Sequence, residues 1–448
     1  MKSKLTLSDA FALETQAELI AFVGAGGKSS LMIALAHELT GRLIVTTTTR
    51  MFAEQLRVAA RSLPAILCWY PDLSPLDDMD AGSQKFLITS KLVQDKVSGV
   101  PLQLPSQLLY RPDIDWVLVE ADGAKMRPVK APDAHEPAIP TQTTLVVPML
   151  GIEAVGKEIQ IAAHRPERVA NLLGKSTAAH FSTADLAQLL THPQGGLKSV
   201  PSEARIIPAI NQVENNVQLA DARHIAKLAL AESKIQQIVI CRANADWPVV
   251  EVHKRVTAAI LAAGQAKRMG QLKQLLPWGA TTILGQTIRN IKASAVHDCV
   301  VVTGHKSDAT AAVAADEQVA TVTNPGYAAG EMLSSLQTAV VHLPQQISAV
   351  LVMLADQPMV EPKVIDSLLQ AYWRGSGDII APQNKGKRGN PVIIDRCHFA
   401  ELLALPSGAA PRDLLRKHEV TLVPVESESV LQDIDDLEDY RRYQPDLF

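Results

Sequence analysis

Leu19-Ile20-Ala21-Phe22-Val23-Gly24-Ala25-Gly26-Gly27-Lys28-Ser29-Ser30 and Thr257-Ala258-Ala259-Ile260-Leu261-Ala262-Ala263-Gly264 share one grammar, an apolar run followed by a turn of small residues. A helical pattern follows each turn, over about 29–39 in the first case and 283–293 in the second. A strand that enters a glycine-rich turn and then a helix brings backbone N–H groups close to a bound anion, so each segment reads as the opening of a nucleotide-binding α/β domain. Further strands are predicted at 43–46, 116–120, 144–148, 205–210 and 237–241, and again at 299–303, 319–322, 349–354, 379–381 and 392–394. Strands alternating with helices call for largely parallel sheets in both halves.

The fold class expected is therefore α/β with two doubly wound domains, a P-loop-like one over residues 1–252 and a Rossmann-like one over residues 253–448. The segment 243–255, with Trp247, Pro248 and mixed charge, reads as the end of one and the entry to the other. The length of 448 residues suits two or three domains, and 47% hydrophobic with 20% charged residues is the composition of a chain that buries real cores. A net charge of −4 supplies no positive field, which argues against nucleic acid or an anionic membrane as partner. Cys68, Cys241, Cys299 and Cys397 are far apart, so neither a zinc knuckle nor a disulfide framework is expected, and a reducing, cytoplasmic setting fits. Asp9 and Glu14 interrupt any signal-peptide core, and no apolar run reaches the roughly 18 residues of a membrane helix.

The first glycine loop carries legible chemistry. Gly24, Gly26 and Gly27 would let the backbone cradle phosphates, Lys28 would meet the outer ones, and Ser29 would offer its hydroxyl to magnesium. Two residues separate Gly24 from Gly27 where a Walker A loop has four, so this is a shortened G-x-x-G-K-S loop, similar to that of Mur-type ligases. Thr46 to Thr49, among them Thr47 as a site residue, either reach a metal or γ-phosphate or simply end a strand. Glu120 and Asp122 close an apolar strand as in a Walker B element, or form an acidic turn. Lys125-Met126-Arg127-Pro128-Val129-Lys130, leading to His135 and Glu136, reads as an anion-binding loop or a solvated turn. Asn211-Gln212-Val213-Glu214 stands where a GTPase has N-K-x-D, with lysine and aspartate both replaced. As a set, these pieces resemble the YqeC family of selenium-dependent hydroxylase accessory proteins over residues of about 15–250.

The second loop is more specific. Leu261, Ala262, Ala263 and Gly264 permit close approach of a base and triphosphate, while Arg268 and Lys273 would neutralise phosphates. Asp356 ends an apolar strand, and Asp435 lies in the acidic run 433–439. Two such carboxylates at about 4 Å would repel by on the order of 4 kcal/mol at an effective dielectric of 20, so a bridging metal is expected. An aspartate capping the turn before Pro358 and an acidic helix N-terminus are the plainer alternatives. Together with Asn324, Ser334, Ser335, Asn390, Gly408 and Arg412, this pattern resembles the molybdenum cofactor nucleotidyltransferases of the MobA-like type over about 255–445. It departs from them at Ala266, at Leu437 and just after Gly408.

The resemblance implies a cytidylyltransferase with Arg268, Lys273 and Asp356 as catalytic residues. Leu261 to Gly264, Ser334 and Ser335 would contact the nucleotide, and Asp356 with Asp435 would hold Mg2+. CTP and molybdopterin are the implied substrates, with CTP favoured over GTP because the Ala263 methyl would crowd a purine. The first half implies a site for ATP or GTP at Gly24, Gly26, Gly27, Lys28, Ser29, Thr47, Glu120 and Asp122, serving a molybdenum hydroxylase of the xanthine dehydrogenase-like kind. A GTP-using or sugar-phosphate nucleotidyltransferase, or a non-catalytic molybdenum cofactor carrier or chaperone, are the rivals.

Overall fold

The computed structural model describes residues 5–13, 17–52, 62–77, 84–93, 96–264, 272–328 and 331–445. They divide into two compact units, one ending at His253 and the other beginning at Lys254. No helix among the described residues is long and apolar enough to cross a membrane.

In the N-terminal unit the strands are β1 (Glu18–Gly24), β2 (Leu43–Thr47), β3 (Ala65–Trp69), β4 (Lys85–Thr89), β5 (Trp116–Glu120), β6 (Leu145–Gly151), β7 (Ala209–Asn211), β8 (Gln237–Cys241) and β9 (Val249–Lys254). Their order across the sheet is β9-β8-β7-β6-β1-β5-β2-β4-β3. β1 pairs in parallel with both β5 and β6. Its residues alternate between two cores. Ile20 and Phe22 enter one, Leu19, Ala21 and Val23 the other, so the strand is buried on both faces. The chain leaves β1 through the glycine loop into α1 (Lys28–Glu38) and returns at β2, two places away on one side. That puts the loop where the strand order reverses, the usual place for a ligand crevice in an open α/β sheet.

In the C-terminal unit, β10 (Val256–Leu261), β11 (Asp298–Thr303), β12 (Ala320–Thr323), β13 (Ala349–Leu354), β14 (Ile379–Asn384), β15 (Val392–Asp395) and β16 (Thr421–Pro424) form the sheet, with β12-β11-β10-β13-β15-β14 in spatial order and β16 beside β14. β10 is parallel to β11 and β13. β15 runs antiparallel to β13 and β14, and the short edge strand Lys387–Arg388 runs antiparallel to β14, so the sheet is mostly parallel with two reversed strands. Helices α2 (Ile283–Lys292), α3 (Glu331–His342) and α4 (Pro362–Trp373) cover it. Cores lie on both faces, one taking Ala258 and Ile260 of β10 and the other Ala259.

Several expectations change in detail. The run 205–210 is two short strands, Arg205–Ile206 and Ala209–Asn211, because Pro208 between them has no N–H to give the ladder. β3 and β4 were not expected. The segment 243–255 is no mere connection, since β9 lies within it at the edge of the first sheet. Its mixed charge is internal. Glu251 and His253 are buried, and Glu251 takes hydrogen bonds from Arg223 at 2.9 and 2.5 Å and meets His253 at 2.9 Å.

Candidate functional site

The glycine loop of the N-terminal unit is held by backbone sterics that only glycine satisfies. Gly24 and Gly26 have φ of 90° and 78°, and a Cβ on Gly26 would stand 2.1 Å from the Gly151 nitrogen. Asn211 adds a tie from β7, its Nδ2 donating to the Gly26 carbonyl at 2.8 Å while its Oδ1 accepts from the Ala243 N–H at 2.9 Å. The N–H of Gly24 is taken by Asp122, and that of Ala25 by Met149. The amides left for a ligand are those at the start of α1, where a helix has no internal acceptors. Gly27, Lys28, Ser29 and Ser30 line a cavity of about 1050 Å³ there.

Lys28 does not point into that cavity as a spare cation. It is 4% exposed, donates to the Gly24 carbonyl at 2.7 Å, and lies 3.1 Å from Asp122 and 3.8 Å from Glu120. Burial works to lower its pKa, but the two carboxylates outweigh this and the value is raised. Asp122 is likewise beneath the loop and not on the cavity wall, bonded to Gly24, Lys28 and Lys130. Ser29 and Glu120 do face the cavity, the hydroxyl donating to the carboxylate at 2.6 Å. The Thr47 hydroxyl is spent within the fold, donating to the Glu120 carbonyl at 2.9 Å, so it faces no ligand.

Opposite the loop, Glu136 receives Lys130 at 2.7 Å and Arg165 at 2.7 and 3.2 Å. Burial would raise the Glu136 carboxyl, yet hydrogen bonds from Arg165 and Lys130 hold it down at about 2. Sequence reasoning missed His164, which ends a short strand about 40 residues beyond β5, and Arg165, which caps the helix that follows; neither carries a local signature.

In the C-terminal unit a cavity of about 390 Å³ opens at the carboxyl ends of β10 and β13. Leu261, Ala262, Ala263 and Gly264 line one side, and Leu354, Ala355 and Asp356 another. The Ala263 methyl also packs toward Gly304, where an added Cβ would be 2.7 Å away, so Ala263 both lines the cavity and holds the loop against the strand end. Ser335 lines the cavity; Ser334 sits beside it, and both hydroxyls accept from Asn324 Nδ2 at 3.1 and 2.9 Å. Arg268 falls in 265–271, outside the described residues.

Asp356 and Asp435 both approach one lysine. Lys273 Nζ is 2.6 Å from Asp356 Oδ2 and 2.9 Å from Asp435 Oδ1. Lys273 was expected on phosphate; here its ammonium relieves the repulsion assigned to a metal. Burial tends to lower its pKa, but Asp356 and Asp435 outweigh this and raise it. The acidic segment is pinned by the Ile434 N–H donating to the Asp356 carbonyl at 3.1 Å and by Gln357 Nε2 donating to Asp433 at 2.6 Å. Asp433 was not singled out from the sequence; burial, then the charge of Asp356, pushes its carboxyl up. Asp356 Oδ1 is buried without a hydrogen-bond partner among the described residues. Such an oxygen, beside a second carboxylate, is the donor set a hard divalent cation takes.

A second cavity of about 330 Å³ adjoins the first, sharing Met332 and Leu354. Leu333, Leu336 and Val392 make it apolar, and Arg388, Asn390 and Arg412 supply its polar side.

The YqeC protein family matches residues 20–167, and the uncharacterized protein YqeC of Escherichia coli K12 is 34% identical over 206 residues, 44% of this chain and 78% of the relative. The chain belongs to the YqeC family. To its YqeC unit is joined a MobA-like NTP transferase domain, matched over residues 258–422, which makes the chain a nucleotidyltransferase. Over that unit the molybdenum cofactor cytidylyltransferase of E. coli K12 is 27% identical, covering 41% of this chain and 93% of the relative. The nicotine blue oxidoreductase of Paenarthrobacter nicotinovorans is 30% identical, covering 42% and 95%. Within the YqeC unit the buried ion network of Lys28, Asp122, Lys130, Glu136 and Arg165 ties the glycine loop to the far wall of its cavity.

Proposed function

We propose that the transferase unit moves CMP from CTP to the terminal phosphate of molybdopterin, giving the cytosine dinucleotide cofactor and pyrophosphate. The convergence of Lys273, Asp356 and Asp435 at a cavity walled by Ala262, Ala263 and Gly264 carries this reading. Asp356 and Asp435 would hold Mg2+, which supplies charge neutralisation between two polyanions. Lys273 then turns from the carboxylates to the triphosphate, and Arg268 joins it in stabilising charge on the α-phosphate and the leaving pyrophosphate. Ser335 orients the nucleotide. The acceptor phosphate arrives ionised, so positioning and electrostatics suffice without a strong general base. The adjoining cavity suits the acceptor, its apolar side for the ring system and Arg388 with Arg412 for anionic groups.

Sequence identity leaves the oxidoreductase relative level with the cytidylyltransferase one; the paired carboxylates around a cation favour nucleotidyl transfer. Pyrophosphate release from CTP, GTP, ATP and UTP, with molybdopterin or sugar phosphates as acceptor, tests the reading. Release with CTP and molybdopterin is expected. No release with any of the four nucleotides, together with molybdopterin binding that Asp356→Asn leaves unharmed, or release only with GTP or a sugar phosphate replaces it by one of its rivals.

For the YqeC unit we infer a P-loop-like site for ATP or GTP that serves maturation of a molybdenum hydroxylase. The free helix-start amides of Gly27 to Ser30 and the Ser29–Glu120 pair, which would hold the nucleotide's magnesium, support it. Lys28 leaves the Gly24 carbonyl to meet the phosphates. Titration of the full chain with ATP or GTP, after saturation with CTP, is expected to show binding that Lys28→Ala abolishes; equal binding by the variant removes Lys28 from the site.

A further inference from the structure

The cavity beside the glycine loop is large for a single small-molecule site. A single small-molecule site encloses about 300–1000 Å³. At about 1050 Å³ this cavity stands at the upper end of that range, and it is larger than the 390 and 330 Å³ cavities of the transferase unit taken together. Its charge is also one-sided. Arg50, Lys96, Lys125 and Arg127 line it beyond Lys28 and Arg165, whose charges are met by Asp122 and Glu136, in a chain whose net charge is −4. A cavity wall of one sign concentrates ligands of the other.

The excess cations lie away from the glycine loop, on a wall that is already built. Lys125 and Met126 hold positive φ of 48° and 57°, a conformation that costs energy outside glycine and recurs at functional sites. Arg127 follows and is anchored by donating to the Ile161 carbonyl. His164 lies on the short strand Ala163–His164, which pairs with Val129–Lys130 and so fixes its distance from the same turn. Its Nδ1 is buried and has no hydrogen-bond partner among the described residues. Burial, then Arg165, Lys130 and Lys125, lower its pKa, leaving a neutral imidazole with a proton to give or a lone pair to offer. Arg165 is already committed to Glu136, whereas Lys125 and Arg127 are exposed.

We propose that the YqeC unit binds two anions together, the nucleotide on its glycine loop and a second, phosphorylated small-molecule substrate whose phosphate is held by Lys125, Arg127 and His164. The proposal rests on the nucleotide reading of the loop and adds the class of its co-substrate.

Met126 is 86% exposed on the cavity rim, and of the four cysteines only Cys397 is exposed. An environment-sensitive fluorophore on full-length Met126→Cys, Cys397→Ser protein therefore reports on this cavity and not on the transferase site. With ATPγS saturating, pyrophosphate is expected to give a second saturable change. Arg127→Ala or His164→Ala should weaken pyrophosphate at least tenfold and leave ATPγS within twofold; Lys125→Ala, on the exposed turn, serves if either fails to fold. Simple competition between the ligands, no response to pyrophosphate, unchanged affinity in the variants, or equal loss of both ligands overturns the proposal. If ATPγS gives no change while Arg127→Ala still abolishes a pyrophosphate response, the nucleotide reading fails and the anion wall stands.

Discussion

Lys273 places its ammonium 2.6 Å from Asp356 Oδ2, so the cation expected to grip a triphosphate is held by the carboxylate expected to grip a metal. With Asp435 at 2.9 Å on its other side, the lysine occupies the charge position between both acids. On the proposed function a divalent ion at these carboxylates would compete with the Lys273 ammonium for Asp356 Oδ2 and Asp435 Oδ1, and phosphates that draw the lysine away would favour the ion.

Replacing Lys273 by methionine separates these roles. Without nucleotide, Mn2+ binding read by electron paramagnetic resonance should tighten, because the competing cation is gone, while transfer falls about 100-fold with one charge stabiliser lost. Unchanged Mn2+ affinity would refute the competition.

At the glycine loop, Gly26→Ala puts a Cβ 2.1 Å from the Gly151 nitrogen at a φ of 78°, and neither neighbour is a side chain that can swing aside. A loss of about 3 kcal/mol is expected. Calorimetry should show the transition of the YqeC unit moved down, with the CTP-stabilised transition in place.

Acid should loosen the edge of the first sheet through Glu251. Burial would raise this carboxyl, but Arg223 and His253 hold it down at about 2 from an ordinary 4.5. A depressed carboxyl contributes stability that is complete above about 4.5 and is lost as pH falls toward 2. Glu251→Gln strands Arg223 and should cost about 3 kcal/mol at pH 7. The urea midpoint of the variant should then change less than the wild type's between pH 5 and 3, and parallel profiles would count against the assignment.

The adjoining cavity makes a kinetic prediction. Arg412→Ala or Arg388→Ala removes a cation from the acceptor side only, so KM for molybdopterin should rise about tenfold while KM for CTP stays within twofold. A matching rise for CTP would move these arginines to the nucleotide.

The amino-acid sequence by itself determined what short stretches can encode. The unbroken apolar runs Leu19 to Val23 and Ala258 to Leu261 specify strands buried on both faces, and the small residues after each specify the turn. The pairing of Asp356 with Asp435 was legible only through resemblance, and β9 was hidden because its charged residues are buried against Arg223. Which side chain satisfies which lay beyond the sequence. Lys28 turned inward on Asp122, Thr47 spent on a carbonyl, Lys273 reaching across 162 residues to Asp435, and Arg165 closing on Glu136 are long-range electrostatic choices. Local propensity carries no information about such partners; only the packed sheet, which brings distant strand ends together and removes water from between them, decides where each charge is held.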